Sequence, residues 1–308
     1  MTAALRIGID LGGTKIAAIA FGPGDKILGE DRIKAPRDDY EASIAAVRGL
    51  VEKLETTAGC QGSIGIGMPG SISPMTGLVQ NSNSTWLNGR HFDTDLETAL
   101  GRKLRFANDA NCFALSEATD GAAAGARIVF GVILGTGCGG GLVFEGKPIL
   151  GKHHVGGEWG HNPLPWPGEG EIPAPICWCG RAGCLELWLS GSGLERDHRE
   201  VTGEALSASD IEAAAKAGEA KAKATLARHA HRLARGLSHV VNLVDPDVIV
   251  LGGGLSKMPH LYSDVPPLMT PFAVADRLSV DLRPPEHGDA SGVRGAARLW
   301  DTDWAAAS

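Results

Sequence analysis

Basic charge, long apolar runs and cysteine are all scarce in this sequence, and each scarcity closes a class of function. Its 308 residues carry 29 Lys+Arg against 36 Asp+Glu, a formal charge of −7 with a pI near 5.8. Such a chain offers no basic field to nucleic acid. No apolar stretch approaches the roughly 20 residues needed to span a bilayer, so no membrane partner is expected. The opening residues, Met1-Thr-Ala-Ala-Leu5-Arg-Ile, run into strand-like sequence rather than a hydrophobic leader. Six cysteines in a chain of this length do not make the disulfide framework of a small secreted domain. A reducing, cytoplasmic setting is expected, with a metal as the use for any clustered thiols.

What is present is a soluble globular composition, 43% hydrophobic and 21% charged, with material for two domains or one large one. Glycine, at 43 residues, is about double its average usage and falls in turns beside strands. The densest chemistry lies in Cys177-Trp-Cys179-Gly-Arg-Ala-Gly-Cys184-Leu-Glu186, preceded by Gly157-Glu158-Trp159-Gly160-His161. Three thiols and an imidazole are what a tetrahedral Cys₃His zinc site requires, and a site closed by four protein ligands is structural. The clamp would gather Glu158, His161 and Glu186, polar groups suited to the hydroxyls of a sugar. The plain alternatives are a satisfied core histidine and, for Glu186, a charge at a helix start. Cys60, Cys112 and Cys138 read as ordinary buried or half-buried thiols, and His153, His229, His231 and His239 as surface or helix residues.

Along the chain, Leu5–Asp10, Ile16–Phe21 and Ile27–Ile33 have strand composition, followed by a helix from about Tyr40 to Thr57. Ser63–Met68 and Leu104–Asn108 are further strands, the latter delivering Asp109 to a helix over 110–119. Val129–Leu134 ends in Gly135-Thr136-Gly137 and the chain then resumes an extended pattern. This faintly echoes Ile7–Asp10 followed by Gly12-Gly13-Thr14. A helix with an alanine-rich start near 213–227 runs to Asp245-Pro246. Val248–Leu251 is a buried strand before the turn Gly252-Gly253-Gly254, and a last helix is expected from about Gly292 to Trp300.

Asp10-Leu-Gly12-Gly13-Thr14-Lys15 sets a carboxylate before a glycine turn. Its N–H groups and the threonine hydroxyl could hold phosphate, and the carboxylate could hold Mg²⁺ through water. A hairpin that merely needs glycine reads equally well. Gly135-Thr-Gly137-Cys-Gly139-Gly140 formally matches the dinucleotide fingerprint, making a zinc-containing NAD-dependent dehydrogenase the rival. The fingerprint needs a helix after the turn, and strand-like sequence follows instead. Residues 141–148 fail as a P-loop for the same reason. At Asp109 the spacing alone favours a helix N-cap over a general base.

Taken together, Asp10-Leu-Gly-Gly-Thr-Lys15, Asn83-Ser-Thr-Trp86-Leu-Asn-Gly89, Ala107-Asn-Asp109-Ala-Asn111, Gly135-Thr-Gly137, Gly157-Glu-Trp-Gly-His161-Asn-Pro, the cysteine knuckle and Asp245-Pro-Asp-Val-Ile-Val-Leu-Gly-Gly-Gly254 resemble the ROK family of sugar kinases and repressors, within it the bacterial fructokinases. The resemblance implies an α/β, two-domain actin-like ATPase (ribonuclease-H-like) fold with an interdomain cleft. The expected domains are 1–118 and 119–290, with a terminal helix over 291–304 packing back on the first. It implies ATP and Mg²⁺ as cofactors, Asp109 as the base, and Asn83, Asn108, Glu158, His161 and Glu186 on the sugar. His161, Cys177, Cys179 and Cys184 would hold structural Zn²⁺. Gly12 to Lys15 and Gly135 to Gly137 would face the phosphates, and Gly252 to Gly254 the adenosine. The expected activity is phosphorylation of fructose at its 6-hydroxyl by a homodimer, with mannose, glucose or an N-acetylhexosamine as the alternative. A repressor would carry a helix-turn-helix ahead of the first phosphate turn, where only a few residues precede Leu5. A silent sugar sensor is disfavoured by the presence of Asp10, Thr14 and Asp109.

Overall fold

Strands and helices alternate through residues 5–301, which the structure, a computed structural model, describes. In chain order they are β1 (Arg6–Leu11), β2 (Lys15–Phe21), β3 (Ile27–Lys34), α1 (Tyr40–Ala58), β4 (Ser63–Met68), β5 (Ser71–Ile72), β6 (Val79–Gln80), α2 (Phe92–Leu100), β7 (Arg105–Asn108) and α3 (Asp109–Thr119). Then follow β8 (Ile128–Leu134), β9 (Cys138–Phe144), β10 (Lys147–Pro148), α4 (Glu186–Leu189), α5 (Gly191–Thr202), α6 (Ala208–Lys216), α7 (Ala220–Val244), β11 (Val248–Gly252), α8 (His260–Met269), β12 (Leu282–Arg283) and α9 (Ser291–Ala297). Two compact units result, one of described residues 5–121, 141–157 and 289–301, the other of 122–140 and 158–288.

Both five-stranded sheets share one order, β3-β2-β1-β4-β7 and β10-β9-β8-β11-β12. In the first, β1 pairs antiparallel with β2 and parallel with β4, and β4 runs parallel to β7. In the second, β11 runs parallel to both β8 and β12. The echo between the two glycine turns is thus matched by the order of the strands around them.

Strand alternation explains how the first sheet is covered. Side chains of a strand point to opposite faces in turn. Ile7, Ile9 and Leu11 join Val47, Leu50, Val51 and Leu54 of α1 in one core, whereas Ala17, Ile19 and Phe21 of β2 pack with Val293 and Ala297 of α9. On the α9 side the sheet offers glycine. A Cβ on Gly8 would lie 2.0 Å from the Val293 carbonyl oxygen, and one on Gly65 would lie 1.9 Å from that of Ala296. The helix backbone therefore rests directly on the strands. Helix α1 starts at Asp39, whose carboxylate accepts from the Ala42 N–H at 2.9 Å, and stops at Gly59 with φ 71°.

Two helical expectations change. The alanine-rich stretch near 213–227 does not open a single long helix, because Gly218 at φ 101° separates α6 from α7. The terminal helix ends at Ala297 and residues 302–304 lie outside the described residues. Among the described residues, no helix is long and apolar enough to cross a membrane.

Candidate active site

The predicted site residues fall into two groups, one in each unit. In the first unit, parallel pairing sets Asp10 opposite Gly67 and Met68 opposite Asn108. The carboxyl ends of three adjacent strands thus deliver Asp10, Pro69-Gly70 and Asn108-Asp109 along one edge, about 10 Å across at the usual strand spacing. That edge is where open α/β sheets bind ligands. Gly12 donates its N–H to the Lys15 carbonyl at 3.0 Å, closing a hairpin whose tip is Gly12-Gly13-Thr14. Burial pushes the Asp10 carboxyl up to about 6 against the opposing pull of Lys15 and Arg32.

Asp109 is not the N-cap that its spacing favours. Asn108 takes that role, its side-chain oxygen accepting from the Ala110 N–H at 2.9 Å while its amide donates to the Gly70 carbonyl at 3.2 Å. Asp109 is the first helical residue, half-buried, with one carboxylate oxygen also accepting from the Ala110 N–H at 2.8 Å. The helix dipole favours an anion there.

Asn83 is exposed in a loop clamped by Asn88, which accepts from the Ser82 N–H at 2.9 Å and donates to the Ser82 carbonyl at 2.8 Å. Trp86 anchors the same loop by donating to the Ser43 hydroxyl of α1 at 3.2 Å. Ser84, 2% exposed, lies against the first glycine turn: a Cβ on Gly13 would sit 3.5 Å from its hydroxyl. That buried hydroxyl has no hydrogen-bond partner among the described residues. Sequence reading singled out neither Asn88 nor Ser84 as a site residue.

In the second unit the four sulfur and imidazole donors come together. One ligand atom from each of His161, Cys177, Cys179 and Cys184 lies within 4.8 Å of all the others. Cys177 Sγ is 3.7 Å from His161 Nδ1, and Cys179 Sγ is 3.6 Å from Cys184 Sγ. A tetrahedron with metal–sulfur bonds of about 2.3 Å and a metal–nitrogen bond of about 2.0 Å has edges of roughly 3.5–3.8 Å. The donor set and both spacings fit a four-coordinate ion. Left and right of the knuckle, Cys177 N–H donates to Arg181 O and Leu185 N–H to Asn162 O, each at 2.8 Å. All six cysteines are free thiols; Cys112 and Cys138 are buried as expected, whereas Cys60, just past the end of α1, is exposed. Burial, then the neighbouring Cys179 and Cys177 sulfurs, push the Cys184 thiol up to about 12; a cation among them would reverse that balance.

Around this cluster stand the three polar residues. Glu158 heads a single 3-10 turn over Trp159–His161. Trp159 is buried, donating its indole N–H to the Gly139 carbonyl at 2.9 Å. A Cβ on Gly160 would meet the Cys138 carbonyl at 1.9 Å, so only glycine lets this turn seat on β9. Burial raises the Glu158 carboxyl; His161 opposes the shift and Glu186 adds to it. Glu186 opens α4 without capping it, and takes the Trp178 indole N–H at 2.7 Å and the Cys138 backbone N–H at 3.2 Å. Cys138 is indeed a buried thiol, yet its backbone is a site element that no sequence signal marks.

Gly135 to Gly137 form the second turn, Gly135 N–H donating to Gly137 O at 3.0 Å. A Cβ on Gly137 would stand 2.7 Å from Glu186 Oε2. Ser192 donates to the Thr136 carbonyl at 3.1 Å and Gly191 N–H to Gly135 O at 2.8 Å, joining the start of α5 to the turn. Register places Gly252 beside Ile133, and Gly253, at φ 79°, passes so close to Leu134 that a Cβ would lie 2.5 Å from its carbonyl oxygen. The residues after Gly137 form β9, which removes the dinucleotide-fingerprint rival.

The ROK family profile matches residues 6–303. The chain is 42% identical over 296 residues to the N-acetyl-D-glucosamine kinase of Photobacterium profundum, spanning 95% of this chain and 98% of that one. Among solved structures it is similar to the ROK hexokinase from Thermus thermophilus, at 32% identity and TM-score 0.84 over 95% of this chain and 96% of that one. It is also similar to a ROK family glucokinase from Streptomyces griseus in complex with glucose and AMPPNP, at 26% identity and TM-score 0.76 over 96% and 98%. The α/β fold is accordingly that of the two-domain, actin-like ATPases. Fructokinase, the branch expected from the sequence, gives way here to relatives named for N-acetyl-D-glucosamine. With nearly its whole length matched, this chain belongs to the ROK family, as a sugar kinase.

Proposed function

We propose that this kinase transfers the γ-phosphoryl group of ATP to the terminal hydroxyl of N-acetyl-D-glucosamine. The observation that carries the reading is the placement of Asp109, a half-buried carboxylate at the strand-end edge that also bears Asp10 and the Gly12–Thr14 turn. Asp109 is the general base. As the sugar oxygen attacks the γ-phosphorus, a new P–O bond forms, the bond to the β-phosphate bridging oxygen breaks, and the hydroxyl proton passes to Asp109. Magnesium, when bound, neutralises phosphate charge; Asp10 is the carboxylate that would hold it, through water.

Gly12, Gly13, Thr14 and Lys15, with Gly135, Thr136 and Gly137, give the phosphates their donors, and Gly252 to Gly254 receive the adenosine. Asn83, Asn108, Glu158, His161 and Glu186 hold the sugar. His161, Cys177, Cys179 and Cys184 hold a structural zinc ion, and the enzyme works as a homodimer in a reducing compartment. Replacing Cys179 by Ser should cut bound zinc from one per chain to a small fraction, read by metal analysis, and weaken sugar binding. Light scattering at twice the chain mass checks the dimer.

The named relatives support the N-acetylhexosamine. Fructose is the second reading, on the fructokinase-like phrases Asn83–Gly89 and Asn162-Pro-Leu-Pro-Trp166. One coupled assay over N-acetyl-D-glucosamine, fructose, mannose and glucose decides. A kcat/KM at least about tenfold higher for N-acetyl-D-glucosamine supports the proposal, since each tenfold is about 1.4 kcal/mol of transition-state preference. The reverse order replaces it with fructose.

A further inference from the structure

The geometry points to Trp178 as a positioning residue that ties the metal knuckle to the sugar-binding carboxylate of Glu186. It occupies the position between two proposed zinc ligands, Cys177 and Cys179. Its backbone is held by the turn in which Gly180 N–H donates to Cys177 O at 2.9 Å and Cys177 N–H donates to Arg181 O at 2.8 Å. The residue is 60% exposed, an unusual setting for a tryptophan, yet both ends of the indole are engaged. The N–H donates to Glu186 Oε1 at 2.7 Å, and the ring meets His161 edge-on at 5.0 Å with an interplanar angle of 83°. Glu186 Oε2 is meanwhile held by the Cys138 N–H at 3.2 Å.

With the Trp178 N–H on Oε1, which also faces the Cys177 sulfur at 4.0 Å, and the Cys138 N–H on Oε2, the carboxylate is locked in rotation, and Oε2 retains a lone pair for a sugar hydroxyl. A carboxylate so held keeps more of its hydrogen-bond energy for the ligand, because less side-chain freedom is lost on binding. The sequence between the cysteines is then more than a spacer. Closing the four ligands fixes Trp178, and Trp178 fixes Glu186.

This inference rests on the proposed role of Glu186 in sugar binding, so the test separates the two. Zinc-loaded, full-length Trp178→Phe keeps the ring and its contact with His161 but lacks the N–H. Its KM for the preferred sugar should rise about 5- to 20-fold, at the lower end of what one hydrogen bond to a charged group contributes because Trp178 acts through Glu186, with kcat within about twofold and zinc content unchanged. Trp178→His, which restores a ring N–H, should recover part of that loss. In a Glu186→Gln background the Trp178→Phe change should add less than about twofold. A second readout needs no turnover: chelation should alter the intrinsic fluorescence of the wild-type chain more than that of Trp178→Phe. If Glu186→Gln itself leaves KM unchanged, the sugar role of Glu186 fails. If Glu186→Gln raises KM but Trp178→Phe does not, or if Trp178→Phe acts equally in both backgrounds, the positioning role is overturned.

Discussion

The two units use one scaffold and arm it differently. Each has a central strand that leaves through a glycine turn into the next strand, Leu11 to Lys15 in the first and Leu134 to Cys138 in the second. In the first unit the ionisable group beside the turn is local: Asp10 sits on β1 itself. In the second, β8 carries no acid, and the carboxylate beside the turn, Glu186, comes from 48 residues beyond Cys138, after the cysteine knuckle. A short motif can carry a glycine turn together with its own acid; the carboxylate beside the second turn has to be imported and braced. Burial also acts with opposite sign. It raises the acid Asp10 to about 6 in the first unit and lowers the base His229 to about 4 in the second.

The largest effect expected on this contrast is at Asp109. Asp109→Asn should lower kcat by about 10²–10⁴ while thermal stability and bound zinc stay as in the wild type, measured by steady-state kinetics beside a melting curve. Near-normal turnover in that variant would take the base away from the first unit.

The opposed shifts come next, at about 3 kcal/mol or less each. Asp10 has a raised folded pKa, so its stability contribution is complete below about 3.8 and is lost as pH rises through about 6. Asp10→Asn should therefore gain stability near pH 7 while losing activity. His229 is fully buried on α7, its Nε2 3.0 Å from the Leu189 carbonyl oxygen. Burial leads its downward shift, His260 and Arg232 add to it, and the Leu189 hydrogen bond and Asp197 oppose it. Its folded pKa is depressed, so its contribution is present above about 6.5 and is lost as pH falls toward about 4. His229→Gln should flatten that acid limb in urea titrations, and a limb unchanged by the substitution would return the acid sensitivity to other groups.

The smallest effects separate the two turns sterically. Gly137→Ala drives a methyl group to 2.7 Å from Glu186 Oε2, so KM for the sugar should rise about tenfold. Gly13→Ala meets only Ser84 Oγ at an ordinary 3.5 Å, so stability should hold and any loss should fall on KM for ATP. Equal effects of both variants on the sugar would erase the distinction between the turns.

Local chemistry was legible where a few consecutive residues decide it. The strand Ser63–Met68, the turn after Asp10 and the donor set of the knuckle follow from pattern and spacing, and the structure keeps each. Gly218 was hidden within an alanine-rich run, where helix propensity outvotes one glycine until its φ of 101° is seen. The parts played by Asn88, Ser84 and the Cys138 backbone, residues that lie inside quoted motifs, were invisible for a different reason. Each acts through a contact that no motif records: a clamp across six residues, a buried hydroxyl against a turn, a main-chain N–H on a distant carboxylate.

By itself the sequence determined the α/β alternation, the family and the identity of the groups able to do chemistry, because periodicity and short-range spacing are properties of the chain alone. Tertiary structure decided which oxygen of Glu186 meets which donor, why Asn108 rather than Asp109 caps α3, and how far burial moves Asp10 and His229. Those outcomes depend on distance and on the water removed around each group, and both are set only when remote segments pack together.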